Sequence, residues 1–237
     1  MKKFKTLVST ASVLGATLIS SGAVFAASTT SGSSNAETPI TTTLQAPSNP
    51  TNPTPPQPDG ADQGANSNNK NNNITGTFGI AYQPTGFTFT TNSLNSTGSQ
   101  SIPVTNPHGS APYNVGVKDM THDTQGWKLT AQLTWNGKDI TGSTIKTTNV
   151  GEVKKNINKG VDFNANNDLV ASSGVTGTAN LSINGSPQDV MVAQKDVIHD
   201  AVYDYALGNV SLEIPNTSVV SAGSYSGNVN WNLQVTP

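Results

Sequence analysis

The chain of 237 residues contains no cysteine, and all 12 of its basic residues are lysines. The absence of cysteine excludes a disulfide framework, so any folded part must depend on its own hydrophobic core. A mildly acidic chain without arginine is a poor candidate for nucleic-acid binding. After the first 23 residues there is also no apolar run long enough to span a bilayer. We therefore expect neither nucleic acid nor a membrane as a partner of the mature chain.

The beginning of the chain is typical of a secretory signal peptide. Lys2, Lys3 and Lys5 precede an apolar run from Leu7 to Ala23, and small residues follow. We predict a signal peptide over residues 1–26; an uncleaved membrane anchor is the alternative. Cleavage removes three of the 12 lysines and leaves nine against 14 acidic groups, a formal charge of −5. Contact with an anionic wall polymer would then require hydrogen bonds and stacking.

Residues 27–73 form a low-complexity segment rich in Ser, Thr, Asn and Pro. Such a segment buries too little apolar surface to offset the entropy that is lost when it becomes ordered. We predict a disordered N-terminal tail here, whose proline-rich half favours extended polyproline II structure. A solvated tail is one interpretation, and docking of a partner on its PxxP spacings is the other.

From Ile74 onward, short runs of alternating apolar residues are separated by Gly, Asn and Pro. In Trp127–Trp135 the alternation places both tryptophans and two leucines on one face, and Tyr225–Val235 repeats the pattern at the end of the chain. No amphipathic helix of convincing length is present. We predict one all-β domain over residues 74–237, folded as an antiparallel β-sandwich.

Asn184-Gly185 lies between two short apolar runs, Leu181–Ile183 and Val190–Val192. An Asn-Gly pair favours the type I′ turn that joins two adjacent antiparallel strands. The pattern therefore predicts a β-hairpin at this position.

The residue types that carry catalysis are sparse. His108, His122 and His199 are the only histidines, and acids stand beside two of them in Asp119–Asp123 and His199-Asp200. The chain has no zinc, nucleophile-elbow or phosphate-loop motif. We interpret the acids and imidazoles as turn residues and predict that the protein is not an enzyme.

One segment, Asp162–Asp168, carries side-chain oxygens at alternate positions, as a calcium loop does. Asn167 stands where such a loop needs glycine, and Ser173 stands where it needs a bidentate glutamate. Asn-rich turn chemistry explains the segment more simply. We predict no metal and no cofactor.

Two tripeptides, Trp127-Lys128-Leu129 and Trp231-Asn232-Leu233, are the most informative feature of the chain. Together with Phe78–Phe89, Leu212–Pro215 and Ala222–Ser226, they resemble the WxL domain of Gram-positive surface proteins. The resemblance extends from about Thr77 to Pro237. Relatives often have arginine in the turn before the first motif, whereas this chain has Gln125, so a charged contact made there in relatives is not expected here.

The resemblance implies a secreted protein at the cell wall and cell surface, attached noncovalently with peptidoglycan as its ligand. It also implies that Trp127, Leu129, Trp231 and Leu233 serve in wall binding. The lack of a sortase-type LPxTG motif agrees with noncovalent attachment. The alternation by itself favours a core position for these side chains. Both interpretations can hold if the two motif strands lie near each other, which we expect.

Two other functions stay open at this stage. In the first, the domain is a structural subunit of a surface complex whose direct ligand is another surface protein, bound for instance by strand addition. In the second, it is a wall-modifying hydrolase, although the chain has no paired-carboxylate or zinc signature.

Overall fold

A computed structural model describes residues 38–48, 50–58, 67–91 and 93–236. The predicted signal peptide and residues 27–37, 49 and 59–66 of the predicted tail lie outside the described residues. The chain divides into two units, Met1–Thr43 and Leu44–Pro237. In the first unit, the described residues 38–43 contain no helix or strand. A search of the described residues finds no helix with the length and apolar character needed to cross a bilayer.

The described part of the second unit is built from 14 strands, one short α-helix and one 3-10 helix, Thr217–Val219. The elements are β1 (Asn69–Asn71), β2 (Phe78–Pro84), β3 (Gln100–Pro103), β4 (Asn114–Asp119), β5 (Gly126–Trp135), β6 (Thr144–Thr147), β7 (Lys154–Asn156), α1 (Ala165–Asp168), β8 (Leu169–Ala171), β9 (Val175–Gly177), β10 (Ser182–Ile183), β11 (Gln188–Ala193), β12 (Ala201–Ala206), β13 (Val210–Ile214) and β14 (Gly227–Thr236). The all-β prediction is confirmed.

These strands form three antiparallel sheets. The first has the order β1-β2-β4-β12-β7-β8, the second β10-β6-β13-β3, and the third, which we call the motif sheet, β14-β5-β11-β9. All three sheets contribute to one hydrophobic core, because apolar side chains alternate along their strands. Representative core residues are Val117 from the first sheet, Leu212 from the second and Leu129 from the motif sheet.

A strap formed by residues 50–58 lies against the first sheet, ahead of the predicted domain start at Ile74. Residues 53–57 of the strap are buried. The backbone N–H of Thr54 donates to Asn158 Oδ1 at 3.1 Å, and its carbonyl accepts from Asn156 Nδ2 at 2.9 Å. Asn69, in β1, donates through Nδ2 to the carbonyl of Pro56 at 2.9 Å. The packed domain therefore begins before Ile74, because asparagine amides satisfy the backbone groups that proline-rich chain cannot pair with itself.

Lys118 fixes the beginning of the strap. Its ammonium group donates to the carbonyl of Pro50 at 2.7 Å and to Asn52 Oδ1 at 2.9 Å, and the residue is fully buried. Burial lowers the pKa of Lys118, because the charged form loses water. The contacts to Pro50 and Asn52 hold the strap to β4, and a third contact joins the ammonium to the carbonyl of Ile74, outside the strap, at 3.5 Å.

A buried carboxyl group lies beneath the strap. Asp204 accepts hydrogen bonds from Tyr82 Oη at 2.8 Å and from Asn114 Nδ2 at 2.9 Å. Burial raises the pKa of Asp204 to about 7, since a carboxylate removed from water is disfavoured. Asn156, which binds the strap at Thr54, also donates to Tyr82 Oη at 3.3 Å. The strap, Tyr82 and Asp204 thus belong to one hydrogen-bond network.

The hairpin predicted at Asn184-Gly185 is wrong. β10 pairs with β6 in the second sheet, whereas β11 pairs with β5 and β9 in the motif sheet. The connection is instead a crossing between sheets. The carbonyl of Asn184 accepts from the Leu133 N–H at 2.8 Å, and the carbonyl of Gly185 accepts from Gln132 Nε2 at 2.7 Å. These contacts hold the Asn184-Gly185 turn against β5, so that it joins two sheets instead of two strands of one sheet.

Candidate functional site: the two motif strands and the groove beside them

The two Trp-x-Leu tripeptides lie on neighbouring strands. β5 carries the first and β14 the second, and the strands pair antiparallel over ten residues, with Leu129 opposite Leu233 and Trp231 opposite Ala131. The proximity expected from the sequence is therefore present. Two strands can pair over this length with their apolar residues on the same face only if those residues alternate in register. The sequences of β5 and β14 both have this alternation.

The first motif is part of the core. Trp127 is 1% exposed and Leu129 is 0% exposed. The Trp127 indole N–H donates to Asp119 Oδ2 at 2.8 Å, and its ring lies 5.9 Å from the Tyr203 ring. Burial raises the pKa of Tyr203 to about 12. While the domain is folded, these two motif side chains cannot touch an extended wall polymer, and any role they have in binding is indirect.

Asp119 and His199, which the sequence places in turns, brace the first motif. Asp119 is buried and accepts the Trp127 indole N–H, while His199 is buried 6.4 Å from the same ring. His199 Nδ1 lies 3.3 Å from Tyr203 Oη, and its Nε2 lies 3.0 Å from the Gln194 carbonyl oxygen. Asp119 also accepts the Thr121 hydroxyl at 2.7 Å within its own turn, so the partners of both residues lie in the surrounding structure.

The second motif is more open. Trp231 and Leu233 are half-buried and pack against the core from the last strand of the motif sheet. Between them, Asn232 is exposed on the opposite face. The same side chain types therefore stand in different environments, because β5 has a strand on each side whereas β14 has one.

The outward side of β14 and β5 is a polar surface, which we call the amide face. Its members share side chains that donate and accept hydrogen bonds, and they are Asn228, Asn230, Asn232 and Gln234 of β14 and Thr130, Gln132 and Thr134 of β5. The β14 members are exposed. Lys128 extends this surface and pairs with Asp189 at 3.2 Å, so the cation is balanced.

A groove of about 900 Å³ lies on the inward side of β14. Its floor includes core residues such as Leu133 and Leu212, and aromatic rings from Phe87, Trp135 and Trp231 line it. Trp135 meets the edge of the Tyr225 ring at 6.1 Å. Serines and threonines from residues 84–94 and 220–228 also line it, and no lining residue carries a charge.

Among the strands of the described residues, none pairs with the outer edge of β14. The Asn136 N–H donates to the Ser226 carbonyl at 2.8 Å, which makes the pair just outside β14 a hydrogen-bonded one. Antiparallel alternation then directs the backbone groups of Val229, Trp231 and Leu233 away from β5. No described turn or loop forms a backbone hydrogen bond with these groups. The second motif therefore presents unpaired backbone groups at a free edge, a feature that the sequence analysis did not locate.

The segment that resembles a calcium loop forms a capped turn. Asn164 caps α1 by accepting from the Asn166 N–H at 3.1 Å. The Asp168 carboxylate accepts from the Asn164 N–H at 2.7 Å and from Asn158 Nδ2 at 2.9 Å. Asp168 Oδ2 and Asn164 Oδ1 thus accept hydrogen bonds within the turn, as in Asn-rich turn chemistry.

A family described as "WxL domain surface cell wall-binding" matches residues 26–237 of the chain. Comparison with curated proteins gives no match, and comparison with solved structures gives none either. The family match covers more than the segment from Thr77 on which the resemblance rested, since it includes the strap.

Proposed function

The chain belongs to the WxL family of cell wall-binding surface proteins, and we propose that its amide face binds peptidoglycan directly. The observation that carries the proposal is the pairing of both motif strands with their Trp and Leu side chains inward and a row of amides outward. The family is one of wall-binding proteins and not of enzymes, which places this protein at the cell surface.

The chemistry of the amide face suits a glycopeptide polymer. Peptidoglycan offers N-acetyl groups, hydroxyls and peptide amides, each of which pairs with side-chain amides such as those of Asn230, Asn232 and Gln234. The face is exposed, and its one lysine is paired with Asp189. Since the mature chain is predicted to carry a formal charge of −5, hydrogen bonding must supply the attraction that bulk charge does not.

In this proposal the four motif residues serve binding by holding the face in place. Trp127 and Leu129 fix β5 from within the core, and Trp231 and Leu233 fix β14 from its inward side. The packed Trp and Leu side chains order the backbone of the strand that carries the amides. An amide on an ordered backbone loses less entropy when a ligand binds.

Cosedimentation of the mature protein with protein-free peptidoglycan tests the proposal. We expect the parent to pellet and an Asn230→Ala/Asn232→Ala variant to bind at least about tenfold more weakly, equivalent to about 1.4 kcal/mol. The matched control is Asn166→Ala/Asn167→Ala, which removes two exposed amides from the α1 turn. Thermal melting verifies that all three proteins are folded.

Two results would contradict this assignment. A parent protein that stays in the supernatant removes peptidoglycan as the direct ligand. A folded Asn230→Ala/Asn232→Ala variant that pellets as well as the parent shows that the amide face is not the binding surface.

The free edge of β14 supports a second function, that of a structural subunit whose direct ligand is another surface protein. Unpaired backbone groups at a sheet edge accept an added strand. Under this function, bare peptidoglycan without a partner does not retain the protein, so the same cosedimentation separates the two functions.

A further inference from the structure

The groove and the free edge of β14 adjoin each other, and together they have the form of a place for one more strand. β14 contains neither a charged residue nor a proline in Gly227–Thr236, although these are the usual devices that prevent strand addition. The apolar floor of the groove is continuous with the core, since Ile102, Leu133 and Ile145 belong to both. The next strand in this sheet would cover that opening.

The chain itself contains a segment suited to this place. Residues 40–46 form a seven-residue run between Pro39 and Pro47, with Ile40 followed by three threonines and Leu44. β-branched residues favour strands. In the structure the run belongs to no strand, and Ile40 is 91% exposed and Leu44 88% exposed. These are the two most exposed large apolar side chains in the described residues.

The run and the groove match in size and charge. Ile40, Thr42 and Leu44 fall on one face of an extended chain, with Ile40 and Leu44 about 13 Å apart. Seven residues span about 23 Å, which fits along the ten residues of β14. Neither the run nor the lining of the groove carries a charge, so no ion is left unpaired on burial.

The direction of the strap favours a groove on a different molecule. The strap begins at Pro50, whose carbonyl is bound by Lys118. Lys118, in β4, lies opposite Gly79 of β2 in the strand register. The groove is lined by Pro84, five residues further along β2 and about 17 Å away. From Pro50 the strap runs toward this end of β2, since Pro56 is bound by Asn69, the partner of Pro84. Pro50, where the strap begins, therefore lies near the end of β2 that is far from the groove.

We propose that residues 40–46 of one molecule add as a strand to the free edge of β14 in a second copy, with Ile40 and Leu44 in its groove. The backbone groups of Val229, Trp231 and Leu233 then pair with the incoming strand. Each molecule offers a donor run and an accepting groove at different places, so the contact is heterologous and builds head-to-tail chains. The interaction does not require wall binding, because Asn230, Asn232 and Gln234 of the amide face are not among the residues that line the groove.

Sedimentation velocity on the mature protein, residues 27–237, without any wall material tests the proposal. We expect species larger than the monomer that increase with concentration. An Ile40→Asp/Leu44→Asp variant is expected to self-associate at least tenfold more weakly, because two charges would enter an apolar groove. The matched control, Thr41→Asp/Thr43→Asp, adds the same charge on the opposite face of the run and is expected to associate like the parent.

A cysteine scan tests the acceptor independently, since the chain contains no native cysteine. Thr43→Cys protein is mixed with Asn228→Cys, Asn230→Cys or Asn232→Cys protein under mild oxidation. We expect a crosslinked heterodimer at one or two neighbouring β14 positions and none with Lys146→Cys, an exposed site on β6.

Several results would overturn the proposal. A protein that stays monomeric at all concentrations has no such contact. If both aspartate variants lose association equally, or if neither loses it, the association does not depend on Ile40 and Leu44 entering the groove. Crosslinking confined to Lys146→Cys identifies another surface. Because the Ile40→Asp/Leu44→Asp variant retains the amide face, its binding to peptidoglycan reports on the wall-binding proposal separately.

Discussion

The two Trp-x-Leu motifs have the same residue types but different environments. The first is in the interior strand β5, where Trp127 is fully enclosed and its indole N–H is satisfied by Asp119. The second is on the edge strand β14, where Trp231 is half-buried beside an open groove. Sequence similarity between two motifs therefore does not imply equal roles. The interior strand β5 is enclosed and stabilises the fold, whereas the edge strand β14 is open and available for contact.

The largest expected effect separates the two tryptophans. Trp127→Ala should lower the free energy of unfolding by about 3–5 kcal/mol, because it removes a buried ring and leaves a cavity. Trp231→Ala should cost only about 1–2 kcal/mol, since part of its ring is already in water. Urea unfolding followed by circular dichroism measures both. Equal losses would show that the edge strand is as closely packed as the interior strand.

If Trp127→Ala does not fold, Trp127→Phe provides the measurement. This variant keeps an aromatic ring but leaves the Asp119 carboxylate without the indole N–H. We expect a loss of about 1–3 kcal/mol from the unpaired buried group together with the smaller ring.

The leucines give a second comparison across the same pair of strands. Leu129→Ala should cost about 2–5 kcal/mol because Leu129 is fully buried. Leu233→Ala, directly opposite, should cost about 1 kcal/mol. Val235→Ala is the control on the same strand, and since Val235 is 48% exposed its effect should stay within about 0.5 kcal/mol. A larger loss at Leu233 than at Leu129 would contradict the comparison.

The pH dependence of stability should arise from the buried hydrogen-bond network beneath the strap, which lies outside the motif sheet. The pKa of Asp204 is raised from 3.8 to about 7 in the folded protein. Its protonated form therefore favours folding: this contribution is complete below the unfolded pKa and is lost as the pH rises through about 7. Between about pH 5 and about pH 8 the expected fall in the free energy of unfolding is roughly 2–3 kcal/mol. Urea titrations at both pH values measure it.

The Asp204→Asn variant is the control for this fall. An amide at this position does not titrate, so the variant should lose much less stability over the same pH range. A parent and variant with parallel pH profiles would assign the effect to other groups.

The smallest expected effect is an alternation in amide exchange along β14. The N–H groups of Val229, Trp231 and Leu233 face the free edge, whereas those of Asn230 and Asn232 face β5. In the Ile40→Asp/Leu44→Asp variant, which we expect to be monomeric, the N–H groups that face the free edge should exchange with solvent faster than those that face β5. Nuclear magnetic resonance measures both rates. Uniform protection along the strand would mean that the edge is already covered.

Much of the fold was predictable from alternation. The runs Trp127–Trp135 and Tyr225–Val235 each place their apolar residues on one face, and the structure pairs them as neighbouring strands. The Asn-Gly hairpin was wrong because turn propensity acts locally, while Leu133 and Gln132 bind the turn from a different part of the chain. The strap was missed for a related reason, since its proline-rich sequence is ordered by Lys118, Asn156 and Asn158, which lie far away in sequence.

The wall-binding assignment of Trp127, Leu129, Trp231 and Leu233 stays a prediction. The structure restricts Trp127 and Leu129 to an indirect role and leaves Trp231 and Leu233 at an open edge. The amide face was present in the sequence as alternate asparagines in β14, but its position opposite the motif side chains was apparent only once both strands were paired.

By itself, the sequence determined the class of the fold, the absence of disulfides and the pairing of apolar residues on one face of each motif strand. These follow from local periodicity and composition, which do not depend on the rest of the chain. The tertiary structure decided which motif is enclosed and which is open. That difference depends on how many strands flank each motif, and strand order is set by contacts between residues distant in sequence.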